Sequence, residues 1–386
     1  MATGNSPTSR LHPRRIVVRG TNWLGDAVMT TPALLRLREK FPESHIALLT
    51  PEKLQDLWQH HPAIDEIISI ESDESVFSVG NRLRELGFDA ALVLPNSPRS
   101  ALEAWLARIP ERIGYGRPWR NYFLTRVLAT RPESIPMRKR SVAEIRRLTG
   151  FAPISREPKS KLEPDRTPVL LSHQINEYLH LAAALGANPE PLPPQLFVIP
   201  DELDTTKTKF GLNKVGGPLF GLNPGAEYGP AKRWPVEKFI AAALDIQQRT
   251  KCTWVLFGGK NDIPLAGQVS AALRAARLMP YDLSGKTSLR ELMALLRICR
   301  VLLTNDTGPA HVAAALGTAV VAPFGSTSPE LTGPGLPGDP RHWLLKSEVP
   351  CSPCFLRECP IDFRCMNGIS VERVVDAALA SANPVN

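Results

Sequence analysis

At 386 residues the chain is longer than one hydrophobic core usually serves, and 43% hydrophobic against 22% charged residues suits a fully folded protein, so two domains are expected. No stretch reaches the roughly 18 to 20 apolar residues of a membrane span. The opening "MATGNSPTSRLHPRR" is polar and basic with no apolar run behind it, so neither a spanning helix nor a secretory leader is expected and the protein reads as cytoplasmic.

The net charge of +8 is unevenly spread: between Arg99 and Arg147 there are twelve Arg/Lys against only four acids, Glu103, Glu111, Glu133 and Glu144. Such a concentration suits an anionic partner, whether nucleic acid, phospholipid or a phosphorylated glycan, with a solvated basic face as the plainer alternative. Few Tyr/Phe residues are interleaved with the basic ones, which ranks nucleic acid low.

Short apolar, β-rich runs alternate with helical patterns, the mark of parallel sheet covered by helices and hence of the α/β class. In the first half, strands are predicted at 15–20 (RIVVRG), 45–50 (HIALLT), 66–70 (EIISI) and 90–95 (AALVLP). Helices are predicted from Asp26 through "DAVMTTPALLRLREKF", around 78–87 and over 100–109. Residues 151–170, rich in proline and charge, read as surface loop, and a helix follows at 173–187. After "NPEPLPPQLFVIP" the alternation restarts, with strands at 219–225, 253–259, 301–306 and 319–325, and an amphipathic helix closes the chain at 370–382. The junction between the two α/β domains is placed near residue 190.

In open parallel sheets ligands bind beyond the carboxyl ends of the strands, so the chemistry is sought in the loops that follow them. The first is "TNWLGDAVMTTPAL": Gly25 permits a tight turn, and Asp26 stands at a helix start, as a cap or as a carboxylate able to act as general base. The loop has neither the G-x-G-x-x-G of a dinucleotide fold nor the G-K-[ST] of a P-loop. The second is "NPGAEYGPAKRWPVEKF", where Gly225 and Gly229 allow close backbone approach and Lys232 with Arg233 bring positive charge just before a helix. Lys232 can neutralise a leaving diphosphate; a solvated Lys-Arg pair is the alternative, and Trp234 reads as packing. The third is "NDTGPAHVAAALGTAVVAPFGSTSP": a strand ends at Asn305 and a helix begins about four residues later. Thr307, Gly308 and nearby N–H groups can face an anion along the positive end of that helix dipole. Asp306 suits capping or a sugar hydroxyl, and His311, in the first turn, can donate to a phosphate oxygen or serve the packing alone.

Near the end, Cys351, Cys354, Cys359 and Cys365 are spaced C-x2-C-x4-C-x5-C, while Cys252 and Cys299 lie inside apolar runs. The four clustered thiols can ligate Zn or iron tetrahedrally, or remain free or partly paired; the spacing matches no standard zinc ribbon.

Together, "NWLGDAVMTTPAL", "NPGAEYGPAKRWP" and "NDTGPAHVAAALGTAVVAPFGSTSP" resemble the bacterial lipopolysaccharide heptosyltransferases of glycosyltransferase family 9, the type II enzymes most of all. The resemblance runs from about residue 14 to the last helix. It implies a GT-B fold, two Rossmann-like parallel-sheet domains facing a central cleft: residues 1–190 bind the acceptor, 191–368 bind ADP-heptose, and 369–386 form a helix crossing back onto the first domain. It implies inverting, metal-independent transfer of L-glycero-D-manno-heptose from ADP-heptose, with no cofactor required, to the first heptose of the lipopolysaccharide inner core on Kdo-lipid A. Asp26 takes the place of the base and Lys232 that of the group stabilising departing ADP. Gly225, Ala226, Thr287, Asp306, Thr307, Gly308 and His311 fall on the donor side, and either Lys260 or Asp262 aligns with an acidic ribose ligand of some relatives. Asn22, Asn96, Arg99, Arg117 and Arg120 fall where the acceptor's sugar and phosphate groups are expected. A peripheral place at the inner face of the cytoplasmic membrane follows, with no nucleic-acid partner. A family 9 enzyme with another acceptor, glycan or protein, and a non-catalytic nucleotide-sugar-binding protein are the alternatives; a binder has no need of a base such as Asp26.

Overall fold

The computed structural model of the chain describes residues 12–150 and 170–382. The surface loop expected at 151–170 lies outside the described residues save for Leu170, which opens a short 3-10 turn. The described residues form twelve strands: β1 (Arg15–Arg19), β2 (His45–Pro51), β3 (Glu66–Ile70), β4 (Ala90–Val93), β5 (Glu111–Tyr115), β6 (Arg126–Leu128), β7 (Leu219–Asn223), β8 (Thr253–Leu256), β9 (Tyr281–Asp282), β10 (Val301–Thr304), β11 (Ala319–Phe324) and β12 (His342–Lys346). The helices are α1 (Leu24–Met29), α2 (Thr31–Lys40), α3 (Val76–Leu86), α4 (Pro98–Leu106), α5 (Val142–Thr149), α6 (Ile175–Ala183), α7 (Pro200–Lys209), α8 (Val236–Thr250), α9 (Ile263–Ala275), α10 (Leu289–Ile298), α11 (Gly308–Ala315), α12 (Pro329–Thr332), α13 (Arg364–Asn367) and α14 (Val371–Ala382).

Each half builds one six-stranded, wholly parallel sheet. The first runs β3-β2-β1-β4-β5-β6 and the second β12-β11-β10-β7-β8-β9, the Rossmann order in both cases. Register is set by continuous apolar runs that are buried on both faces: Ile16 pairs with Ile46 and Ala90, and Leu302 with Gly221 and Val320. All eight strands read from the sequence are present. The four that it did not reveal lack such a run. β6 and β9 are short edge strands, β5 opens with Glu-Arg and carries Gly114, and β12 is the other edge of the second sheet.

Helix ends follow local chemistry. Ser75 and Ser97 accept from the amides of Ser78 and Ser100 at the starts of α3 and α4. Ser288 and Glu291 form a reciprocal capping box on α10, and Gly87 ends α3 in the left-handed region at φ 64°. The single helix expected from Asp26 is two. Thr30 and Thr31 turn their hydroxyls back onto the carbonyls of Ala27 (2.7 Å) and Val28 (2.9 Å), and Pro32, which lacks an N–H, restarts the helix as α2.

By compactness the chain forms two units: Met1–Asn22, Pro32–Pro132 and Glu177–Pro191 in the first, and Trp23–Thr31, Glu133–Asn176 and Leu192–Asn386 in the second. α1, which carries Asp26, thus belongs with the second unit although β1 immediately before it belongs to the first. α14, expected on the first domain, instead packs on α8 and against β10, β11 and β12. Its apolar face, Val374, Val375, Ala377 and Ala378, is buried with Phe239, Ala243 and Met366 in the second unit's core.

The first unit's core holds an unusual charge cluster beside its apolar cluster of Val17, Leu49, Val93 and Ala104. Glu103 of α4, fully buried, accepts from Arg19 Nε at 2.8 Å and from Arg99 Nε at 3.1 Å. Arg19 is buried as well, whereas the Arg99 side chain is half exposed. Removing the shared carboxylate strands Arg19 without a counter-charge, so Glu103→Ala is expected to destabilise the first unit by about 3 to 5 kcal/mol, while Arg99→Ala costs under about 1 kcal/mol because the Arg99 side chain is half exposed and Glu103 keeps Arg19 as its partner. Denaturant unfolding of the two variants checks the difference.

Candidate active site

The site in the second unit is assembled from three strand-end loops and α1. Trp23, in extended conformation (φ −113°, ψ 142°), precedes α1, so Asp26 falls in the first turn. β7 ends at Asn223 and leads through Gly225, Ala226 and Tyr228 to Lys232. β10 ends at Thr304, and Asn305 and Asp306 carry the chain to Thr307, the extended N-cap of α11.

Asn305 ties two of these loops together. Its amide nitrogen donates to the carbonyls of Pro224 (2.8 Å) and Gly225 (3.1 Å), and its amide oxygen accepts from the Trp234 backbone N–H at 2.8 Å. Asn223 reaches across to the hydroxyls of Thr304 and Thr307, both at 3.3 Å. With the loops so fixed, Lys232 Nζ donates to Asp306 Oδ2 at 2.5 Å, and Thr327 Oγ1 donates to the same oxygen at 2.6 Å. Asp306 is 3% exposed and the lysine side chain 15%, so the pair is desolvated and strongly coupled. Lys232 also lies over the Tyr228 ring at 5.0 Å.

Asp26 feels both members of that pair. Burial pushes its carboxyl up from 3.8 to about 6; the Lys232 charge pulls it back and the Asp306 charge adds to the rise. The result is a carboxylate that exchanges its proton near neutral pH, as a general base requires. His311 is buried, and desolvation lowers its pKa to about 4, so its ring is neutral at pH 7. Its Nδ1 has no hydrogen-bond partner among the described residues.

What holds Asp26 there is a close crossing of α1 with α11. A Cβ on Gly25 would stand 2.8 Å from His311 Cδ2, and one on Gly308 would stand 2.8 Å from Leu24 Cδ2. Each helix offers a glycine to the other's side chain. The Thr307 side chain does not cap α11 but stands 3.3 Å from the Thr304 hydroxyl.

The remaining donor candidates are Gly225, Ala226 and Thr287, with Lys260 or Asp262 beside them in the alignment. Gly225 is pressed against Asp262, whose carboxylate a Cβ would overlap at 2.1 Å, and Ala226 is buried. Asp262 accepts from the Gly259 amide at 3.1 Å, whereas Lys260 is exposed. Thr287 is partly buried immediately before Ser288, the cap of α10, and has no hydrogen bond to another candidate among the described residues.

The acceptor candidates lie in the first unit. Asn22 is exposed and its oxygen faces the Arg19 guanidinium at 3.4 Å. Arg120 is fully buried and donates to the Pro95 carbonyl (2.8 Å) and Asn96 Oδ1 (3.1 Å), while its Nε and Nη2 have no hydrogen-bond partner among the described residues; burial lowers its pKa to about 10. Arg117 is exposed and bonds the Thr130 hydroxyl at 3.2 Å, and Arg99 is held by Glu103.

Cys351, Cys354, Cys359 and Cys365 are free thiols bordering one cavity of about 10 Å³, together with Gly325, Ser326 and Ala231. Burial raises the pKa of Cys351, Cys354 and Cys365, with the neighbouring thiols adding to the rise. No group of three or more His, Cys, Asp or Glu among the described residues is arranged to hold a metal ion. The cysteine loop braces the lysine loop: Phe355 carbonyl accepts from Tyr228 Oη at 2.8 Å and Arg357 carbonyl from the Ala231 amide at 2.9 Å.

Sequence reasoning missed Thr327, Asn305 and Tyr228 as site residues. All three lie in strand-end loops that were singled out, so their position was legible, but which side chains turn inward depends on contacts between loops distant in sequence.

Two parallel sheets of Rossmann order, one to each unit, are the parts from which glycosyltransferases of the GT-B class are built. Residues 141–363 match "Glycosyltransferase family 9 (heptosyltransferase)". The lipopolysaccharide heptosyltransferase 2 of Salmonella typhimurium is 31% identical over 83% of this chain and 85% of its own length. Among solved structures, the ADP-heptose lipopolysaccharide heptosyltransferase II of Escherichia coli is similar with a TM-score of 0.73 and 27% identity over 95% of this chain and 98% of that one. A family 9 glycosyltransferase from Veillonella parvula is similar with a TM-score of 0.74 and 25% identity over 96% and 97%. The chain belongs to glycosyltransferase family 9.

The helix crossing yields a direct expectation. Gly25→Ala and Gly308→Ala each force α1 away from α11 by a fraction of an ångström or more, and displacement of Asp26 on the scale of 1 Å costs about 10²-fold in rate. Transfer assays are expected to show that loss, with circular dichroism confirming that both variants keep their secondary structure.

Proposed function

We propose that the protein transfers L-glycero-D-manno-heptose from ADP-heptose to the first heptose of the lipopolysaccharide inner core on Kdo-lipid A, inverting the anomeric carbon. The observation that carries this reading is Asp26, tuned to about 6, beside the Lys232–Asp306 pair at the start of α11. The relatives named as lipopolysaccharide heptosyltransferase 2, and the solved Escherichia coli enzyme named for ADP-heptose, support the choice of donor and acceptor.

In this reading residues 191–368 bind the donor, with its diphosphate against Lys232, Thr307, Gly308 and the first turn of α11. An ammonium has three N–H donors. One is committed to Asp306 Oδ2, so two remain for diphosphate oxygens. Gly225 and Ala226 let the lysine loop approach, His311 serves the same helix start, and Thr287 lies on the adenine side. Residues 1–190 bind the acceptor through Asn22, Asn96, Arg99 and Arg117, with buried Arg120 holding Asn96 in place.

Asp26 accepts the proton of the acceptor hydroxyl as its oxygen forms a bond to the anomeric carbon. The bond from that carbon to the diphosphate oxygen breaks on the opposite face, and ADP leaves with its negative charge met by Lys232 and the α11 amides. Because these groups supply the counter-charge, transfer needs no divalent ion, and a chelator is expected to leave the rate unchanged. Asp26→Ala is expected to abolish transfer to heptose-bearing Kdo-lipid A in product analysis while ADP affinity stays within about threefold of the parent; turnover at the parent rate would overturn the reading. The lipid-linked acceptor places the enzyme, in this reading, peripherally at the inner face of the cytoplasmic membrane; no helix among the described residues is long and apolar enough to cross a membrane.

The pH profile follows from the same carboxyl group. Asp26 works only when deprotonated, so kcat/KM is expected to fall about tenfold per unit below about pH 6 and to level off above it. Asp306→Asn removes a charge that raises the Asp26 pKa and frees the Lys232 charge that lowers it, so the inflection moves to lower pH. Lys232→Ala moves it to higher pH. Initial-rate profiles from pH 4.5 to 8 read both shifts.

A further inference from the structure

The loop between β5 and β6, on the first unit, displays two large aromatic side chains with nothing packed over them: Trp119 is 85% exposed and Tyr122 is 89% exposed. Exposure of this kind at a loose loop carries little meaning, but this loop is pinned. Between the two rings Arg120 is fully buried and donates to the Pro95 carbonyl and Asn96. The Arg117 amide donates to Asn121 Oδ1 at 2.9 Å and the Phe123 amide to the Arg120 carbonyl at 2.9 Å. Trp119 itself sits in the left-handed region at φ 66°, which costs a side-chain-bearing residue about 1 kcal/mol or more. The backbone is therefore strained into a shape that turns both rings outward.

The charge around them is one-sided. Residues 104–132 contain six arginines and one acid, Glu111. Among the described residues, Arg108, Arg117 and Arg126 are exposed and have no carboxylate within ion-pair distance; Arg117 and Arg126 bond only neutral oxygens. Val127 of edge strand β6 is exposed beside them. Tryptophan and tyrosine rings favour the interfacial layer of a bilayer, where an apolar body and a polar tip are both accommodated, and arginines near an anionic surface each add attraction. Stable peripheral binding takes two such signals together, and this edge has both. Single-stranded nucleic acid, the other polymer that aromatic and basic groups attract, is held by a groove of successive stacking rings; two rings on one loop do not provide one.

We infer that the β5–β6 edge of the first unit docks on an anionic phospholipid surface, with Trp119 and Tyr122 entering the headgroup layer and Arg108 and Arg126 meeting lipid phosphates. The inference deepens the proposed function, because it names the surface by which an enzyme with a lipid-linked acceptor reaches it.

The test is co-sedimentation of the full chain with vesicles of phosphatidylethanolamine and phosphatidylglycerol, without any glycolipid acceptor, against vesicles of phosphatidylcholine alone. Binding is expected only with phosphatidylglycerol, weakened by salt. The double variant Trp119→Ala/Tyr122→Ala is expected to lower the partition coefficient about tenfold or more, and Trp119→Phe/Tyr122→Phe to keep most of it. Both double variants should match the parent in thermal midpoint and in transfer to a deacylated, water-soluble acceptor. Undiminished vesicle binding by the alanine variant, equal binding to both vesicle types, or a loss confined to transfer would each overturn the inference, the last by placing the rings on acceptor sugar. So would an oligonucleotide bound by the parent in preference to vesicles and released by the alanine variant. If vesicle binding behaves as expected while the parent fails to transfer heptose to the deacylated acceptor, the proposed function falls and the docking surface stands.

Discussion

A lysine and an aspartate in contact at 2.5 Å, almost out of water, set the electrostatics of the second unit's site. Burying Lys232 alone would be costly, and so would burying Asp306 alone. Together, with the Thr327 hydroxyl sharing the carboxylate oxygen, they form a locally neutral dipole next to which a third ionisable group can sit. Asp26 is that group. Its proton affinity reflects desolvation first, then the opposed pulls of the two partners. A fully solvated aspartate would be too weak a base at neutral pH, and one beside an unpaired lysine weaker still.

The scaffold exists to keep those three side chains in register. Asn305 hydrogen-bonds both the lysine loop and the amide of Trp234, whose ring is buried among Phe239 and Ile369. The cysteine loop supports the same lysine loop from its other side through Tyr228 and Ala231. At Asp26 the constraint is steric: Gly25 and Gly308 let α1 and α11 touch where any side chain would part them. A short helix carried by the N-terminal half of the chain thereby becomes part of the second unit, bringing a carboxylate to the loops that β7 and β10 supply.

Much of this was legible in the sequence. Eight strands with near-correct bounds and the parallel α/β class followed from continuous apolar runs, because a sheet buried on both faces leaves such runs. β6 and β9 escaped because edge strands of two or three residues carry no pattern of their own, and β5 because Gly114 and its opening charges interrupt the run. The break between α1 and α2 was encoded in Thr30, Thr31 and Pro32, but a strong apolar period on both sides concealed it. The position of α14 on α8 came from burial of its own apolar face, a matter of tertiary packing that a resemblance alone could not place.

At the candidate site, the strand-end rule pointed to the loops, and the residue types singled out Asp26, Lys232, Asp306 and His311, which the fold brings together. The ion pair was not foreseen, since residues 74 positions apart meet only in the folded protein. Packing was one of the two readings of His311, but its closeness to Gly25 was not legible. The most direct measurement is a carboxyl-carbon NMR titration of Asp26 in the ligand-free protein, with Asp26→Asn to assign the resonance. A midpoint near 6 is predicted; a midpoint near the ordinary 3.8 would show that the Lys232–Asp306 pair and burial do not prepare a base at this position.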